Sequence, residues 1–251
     1  MSSSLMRGAA LPLRTLWSPG AALDDAVAHR VVAPASLVLL VAVLGALALP
    51  RLLALLDAAL VPTGQALLDA HLGVLRVGMR RLLLFERLVV PLAFLASGTL
   101  LWLVAAPLLG ARGVSGGAIV AVLALGAAPL LVQRAGELAV VLAAPGAHLA
   151  AGDVAGLPAR FNVGLGGVLA AAGVPAPGFL GVVAEAANGV GVWVVALWGW
   201  GLGRLDRDAS RSARTGHTIW WCVAAATSYV AGWALYAALY PYLLLLVMGA
   251  P

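Results

Sequence analysis

Polar positions are sparse along this chain and gather at seams between long apolar runs. Residues 35–49, 89–109, 118–132, 190–202 and 219–239 carry no charge at all. A helix needs about 20 apolar residues to cross roughly 30 Å of hydrocarbon, so the pattern predicts an all-α polytopic membrane protein. We expect about five transmembrane helices, near 31–49, 89–109, 118–144, 190–205 and 219–239. Residues 31–248 form a single transmembrane helical domain in this reading. Residues 1–30 form a cytoplasmic lead-in that lies on the membrane surface, with Trp17 at headgroup depth. The first span is expected to stop at Pro50–Arg51.

Two stretches break the rhythm. Over 66–88, Leu68, Leu72, Leu75, Met79, Leu82 and Leu83 recur at three- or four-residue steps, and Asp69, Arg76, Arg80 and Arg87 are spaced by seven, four and seven. That stacks the charges in one stripe and predicts an amphipathic helix, lying in the interface or packed on the bundle with its polar face in water. Residues 145–187 are rich in Gly and Pro, and 163–173 is too short to span. A connection with one re-entrant or interfacial helix fits.

Composition agrees with this picture. Hydrophobic residues make up 63% of the 251 and charged residues 10%, too much apolar surface for a water-soluble domain. The net charge of +5 comes from arginine alone, because the chain has no lysine. Scattered arginines of this kind meet anionic lipid headgroups and do not form a nucleic-acid surface. Heavy Ala, Leu, Gly and Val usage hints at a bacterial source. Cys222 is the single cysteine, which excludes an intramolecular disulfide and any CxxC site.

Orientation follows from arginine. Arg204, Arg207, Arg211 and Arg214 lie between the last two spans and belong in the cytoplasm, with the N-terminus on the same side. Trp198, Trp200, Trp220 and Trp221 flank that loop, and Tyr236, Tyr240 and Tyr242 flank the other end, as aromatic belts do. Arg51, Arg76, Arg80, Arg81 and Arg87 run against the scheme, since five spans place 51–88 outside.

Candidate chemistry is thin. Arg134 and Glu137, at i and i+3, share one helix face. Intramembrane ionisable residues are costly and often functional. The pair is either a self-neutralising structural contact or part of a solute or proton path, with Pro129 one turn earlier able to kink the helix. Gly113-Val114-Ser115-Gly116 has the GxSG form used by rhomboid intramembrane proteases, with His148 as the conceivable base. A helix from 117 to 144 would separate them by about 40 Å, whereas a nucleophile touches its base at about 3 Å. An intramembrane hydrolase is therefore the remotest reading, and Ser115 is expected to start a helix. His29, His71, His148 and His217 are scattered over separate connections without metal-ligand spacing. Gly164-Leu165-Gly166-Gly167 lacks the rest of any phosphate-binding motif. Gly199 and Gly203 form a GxxxG, which favours close approach of another helix within the bundle or across a dimer. No catalytic residue, cofactor or metal is expected.

The order of features resembles the Yip (Ypt-interacting protein) domain family in its bacterial form, over about residues 14–240. The resemblance rests on Leu16-Trp17-Ser18-Pro19, a first span and an amphipathic stretch. After these come Leu125-Gly126-Ala127-Ala128-Pro129, a Gly/Pro-rich connection, the run Trp193 to Gly203, and a last span opening Trp220-Trp221. It implies a five-span bundle with a cytoplasmic N-terminus and carries over no catalytic residue. Eukaryotic members bind small GTPases and help shape transport membranes. Their acidic, tyrosine-containing motif ahead of the first span is absent here, which puts GTPase binding in doubt.

The leading expectation is a non-enzymatic scaffold of a bacterial inner membrane. It would organise the lipid bilayer, or recruit a protein partner or a second copy of itself. The alternative is a small transporter or channel using Arg134 and Glu137.

Overall fold

The structure is a computed structural model describing residues 3–26, 28–62, 64–108, 114–145, 149–161, 164–165, 168–169, 172–174, 184, 187–205 and 211–248. Every regular element among them is helical. Helix α1 (Ser3–Thr15) and α2 (Pro19–Ala26) precede α3 (Val32–Ala59). Helix α4 (Ala66–Leu84) passes through a π-helical turn (Phe85–Val89) into α5 (Val90–Leu108). Helices α6 (Gly116–Gly126) and α7 (Pro129–Ala143) follow, then the short α8 (Ala151–Gly156) and a 3₁₀ turn (Pro158–Phe161). Helix α9 (Gly189–Leu205) and α10 (Arg211–Met248) complete the fold. Among the described residues four stretches are long and apolar enough to cross a membrane: Val32–Ala59, Ala66–Ala105, Gly116–Ala143 and Thr218–Leu239. Gly189–Leu205 is a shorter apolar helix beside them. The chain is an all-α, multi-pass membrane protein.

The helix boundaries differ from the sequence reading in instructive ways. Helix α3 does not stop at Pro50–Arg51 but runs to Ala59. A proline inside a helix costs about 3 kcal/mol. Beyond it Leu52, Leu55, Leu56 and Leu60 are all buried, and in a membrane span van der Waals packing against neighbouring helices is what holds such residues together. They pack with Leu83, Ala144, Val154 and Leu157, and that packing outweighs the proline. Arg51 then donates from Nη2 to the carbonyl of Ala144 at 2.9 Å, closing the last turn of α7.

The amphipathic segment 66–88 is not a separate helix. It continues into the second span as one 40-residue stretch, Ala66–Ala105, which at 1.5 Å per residue is about 60 Å long. Its polar stripe faces protein. Arg80 donates to Asp57 of α3 at 2.6 Å, and Arg76 lies 3.4 Å from the same carboxylate. Arg76 also donates to the carbonyl of Leu60 at the end of α3. Leu67, Val74 and Val77 face outward instead. Four of the five arginines that contradict the orientation rule are engaged: Arg51, Arg76, Arg80 and Arg87 bind acceptors of the protein, while Arg81 is exposed.

The third span is two helices. Gly126 ends α6, and Pro129 stands in the first turn of α7, where a missing N–H costs nothing. The indole of Trp198 lies over this break and donates to the carbonyl of Leu123 at 2.8 Å. A Cβ on Gly126 would come within 2.4 Å of Trp198. Trp198 and Trp221 are buried in the main core with Trp102, Val194 and Tyr229, so they pack the bundle and do not line an interfacial belt. Trp220 is exposed. Helix α10 continues through Pro241. Parts of the 145–187 connection, with His148, Gly166 and Gly167, lie outside the described residues, as do Arg112 and Arg207.

Connectivity puts the α3–α4 and α5–α6 turns at opposite ends of the bundle. On a Cys222→Ala background, a membrane-impermeant maleimide applied to intact cells should therefore react with cysteine at only one of Gly64 and Ser115. Labelling of both from the same side would break this path of the chain.

Candidate functional site: a buried charge cluster

Proline chemistry builds the site. Pro91 has no N–H to donate to the carbonyl of Arg87, four residues back, and its ring crowds that carbonyl. The helix responds by widening into the π turn, in which the N–H of Val90 donates to Phe85. The released carbonyl of Arg87 finds room because residue 45 of α3 is glycine. A Cβ there would lie 2.7 Å from the Arg87 carbonyl oxygen. π-turns of this kind occur frequently at functional sites.

The side chain of Arg87 then turns into the bundle, where it is 9% exposed. Its Nη1 donates to Oε2 of Glu137 at 2.7 Å. Nη1 of Arg134 donates to the same oxygen at 2.6 Å. Oε1 accepts from Nε2 of Gln133 at 2.8 Å. The Glu137 side chain is 6% exposed and that of Arg134 12%. Helix α7 supplies Gln133, Arg134 and Glu137 on adjoining turns, and the π turn supplies Arg87. Glu137 lies seven residues, about 10 Å of helix, before Ala144, which Arg51 caps.

Arg134 and Glu137 thus touch, but as half of a larger cluster. Charge spacing alone places Arg87 on a surface stripe, and the signal that relocates it is Pro91, one turn downstream. Chemically the cluster is a braced carboxylate. Two guanidinium groups share one oxygen, and an amide holds the other. The Nε of Arg87 is buried without a hydrogen-bond partner.

The other candidates fall elsewhere. Gly199 and Gly203 let α9 lie directly on α10: a Cβ on Gly199 would meet the Cα of Cys222 at 2.6 Å, and one on Gly203 the Oγ1 of Thr218 at 3.0 Å. Ser115 is the N-cap of α6, its hydroxyl oxygen accepting from the N–H of Ala118 at 3.3 Å. Its conceivable base, His148, is outside the described residues. No group of three or more potential metal ligands occurs among the described residues.

No protein family, curated protein or solved structure matches this chain.

Breaking a buried ion pair from one side typically costs about 3–5 kcal/mol. Glu137→Leu strands two guanidinium groups and should lower the thermal midpoint in detergent further than Arg134→Leu, which leaves Arg87 and Gln133 on the carboxylate. Equal losses would mean that the shared oxygen does not organise the cluster. By the same assay Gly199→Ala should be more damaging than Gly203→Ala, because it meets backbone where the other meets chiefly a rotatable hydroxyl. The reverse order would contradict the packing of α9 on α10.

Proposed function

We infer that this chain is a non-enzymatic membrane protein that organises the bilayer around it or recruits protein partners, in the way the resemblance to Yip proteins suggests. The observation that supports the reading is the state of Glu137. Both of its oxygens are occupied, by three donors from two helix segments. A carboxylate that relays protons or solute has to exchange its partners, whereas one held in this way braces helices against each other. The arginine-only basic content and the Ala-, Leu-, Gly- and Val-rich composition favour a bacterial inner membrane, with the lead-in on the cytoplasmic side.

A small transporter or channel is the second reading. It is favoured by the coincidence of a π turn, frequent at functional sites, with buried intramembrane charge, which marks many ion and substrate pathways.

Crosslinked affinity purification from native membranes, read by quantitative mass spectrometry, separates the two. A stoichiometric protein partner is the expected result. Recovery of the chain alone, together with a liposome flux abolished by Glu137→Gln, would replace the scaffold with the transporter.

A further inference from the structure

The lead-in has two working faces. On α1, Gly8, Leu11, Pro12 and Thr15 are buried against the bundle. The hydroxyl of Thr15 donates to the carbonyl of Leu11 at 2.8 Å, so this face is satisfied. On the opposite side, at helical spacing, fall Met6, Leu13 and Trp17. They are 63%, 42% and 71% exposed. Arg7 and Arg14, seven residues apart, border that stripe and are also exposed.

The bundle fixes how deep this helix reaches. Gly8 lies against Val32, the first residue of α3. Leu16 packs with the cluster of Leu37, Val41 and Ala127. Leu37 and Val41 are five and nine residues further along α3, about 8–14 Å at 1.5 Å per residue. Helix α1 therefore leans inward from the start of the first span. Helix α2 returns to the end of α9, where Arg204 lies 3.2 Å from Asp24, donates to the carbonyl of Gly20 at 2.9 Å and stacks on Trp200.

We propose that α1 and α2 form an insert in one leaflet, whose Met6–Leu13–Trp17 stripe lies among lipid and whose Arg7 and Arg14 engage anionic lipid headgroups. The occupant is lipid because the first span begins beside this helix. Amphipathic interfacial helices also sit about 5–10 Å into the headgroup and acyl boundary. Tryptophan favours that boundary, and the two arginines complement anionic phosphates. Arg14 already holds an internal anion, Asp25 at 2.7 Å, and both side chains are about half exposed. Headgroup phosphates compete with Asp25 for it, so the anionic lipid content of the leaflet sets how firmly the insert is held. The proposal rests on the reading of this chain as an organiser of its membrane and names the lipid class involved.

The test uses the full chain with Cys222→Ala, spin-labelled at Met6→Cys or Leu13→Cys. Ala10→Cys, on the same exposed side, serves if either fails to fold. The protein is reconstituted in phosphatidylcholine vesicles with and without phosphatidylglycerol. The labels should collide more with oxygen than with a water-soluble nickel chelate, and phosphatidylglycerol should deepen them. Arg7→Gln with Arg14→Gln should abolish the dependence on phosphatidylglycerol while leaving the insertion, and Asp25→Asn should enlarge it. Labels that meet the nickel chelate in both lipids would overturn the proposal. So would strong spin–spin coupling between copies, which would put a second copy on the stripe, or a phosphatidylglycerol effect that survives loss of both arginines. None of these readouts depends on a protein partner, so a water-facing stripe would sink this inference and leave the scaffold reading standing.

Discussion

An ionised carboxylate inside a hydrocarbon slab has to be answered by its neighbours, because no water is at hand to do it. Glu137 is answered by Arg87, Arg134 and Gln133, and much of the bundle's geometry can be read as the means of delivering them. Arg134 and Gln133 come from the same helix at no topological cost. Arg87 has to be brought across. That requires a helix that widens at the π turn, a proline that makes it widen, and a glycine on α3 that gives the displaced carbonyl room. Leaving any of these charges unpaired would cost more than losing any single apolar contact nearby.

The same rule extends to the helix ends. Terminal carbonyls near the membrane boundary lack intrahelical partners. Arg51 supplies one for α7 and Arg76 one for α3, while Asp57 gathers Arg76 and Arg80. Arginine suits this use because its planar fork reaches two acceptors at once and stays charged. The segment that looked wrongly placed by charge is thus a set of braces.

The apolar runs were legible because lipid imposes a length and a composition that few other environments demand. The pairing of Arg134 with Glu137 was legible because helical spacing is local. Arg87 was not, because a heptad-spaced charge stripe reads the same whether it faces water or a neighbouring helix, and only a contact fifty residues away decides. Pro50 misled for a related reason: its local penalty is visible in the sequence, whereas the leucine packing that offsets it involves α4 and α8. Trp198 and Trp221 stand next to a basic loop, which is what belts look like, yet their burial is set by Gly126 and by Trp102. The yield of the sequence therefore fell off with the separation between the residues that decide each feature.

The docked lead-in also constrains the order in which this protein can be assembled. Leu11, Ala22 and Leu23 rest on Ala121, Val122 and Leu125 of α6, and Gly20 is held by Arg204, 184 residues later. These N-terminal helices emerge from the ribosome before any of the surfaces that seat them exist. Helix α3 offers α1 a seat as soon as it is made, but the contacts with α6 and α9 have to wait for the synthesis of most of the chain. The last contact of the lead-in, with Arg204, forms only once α9 is in place.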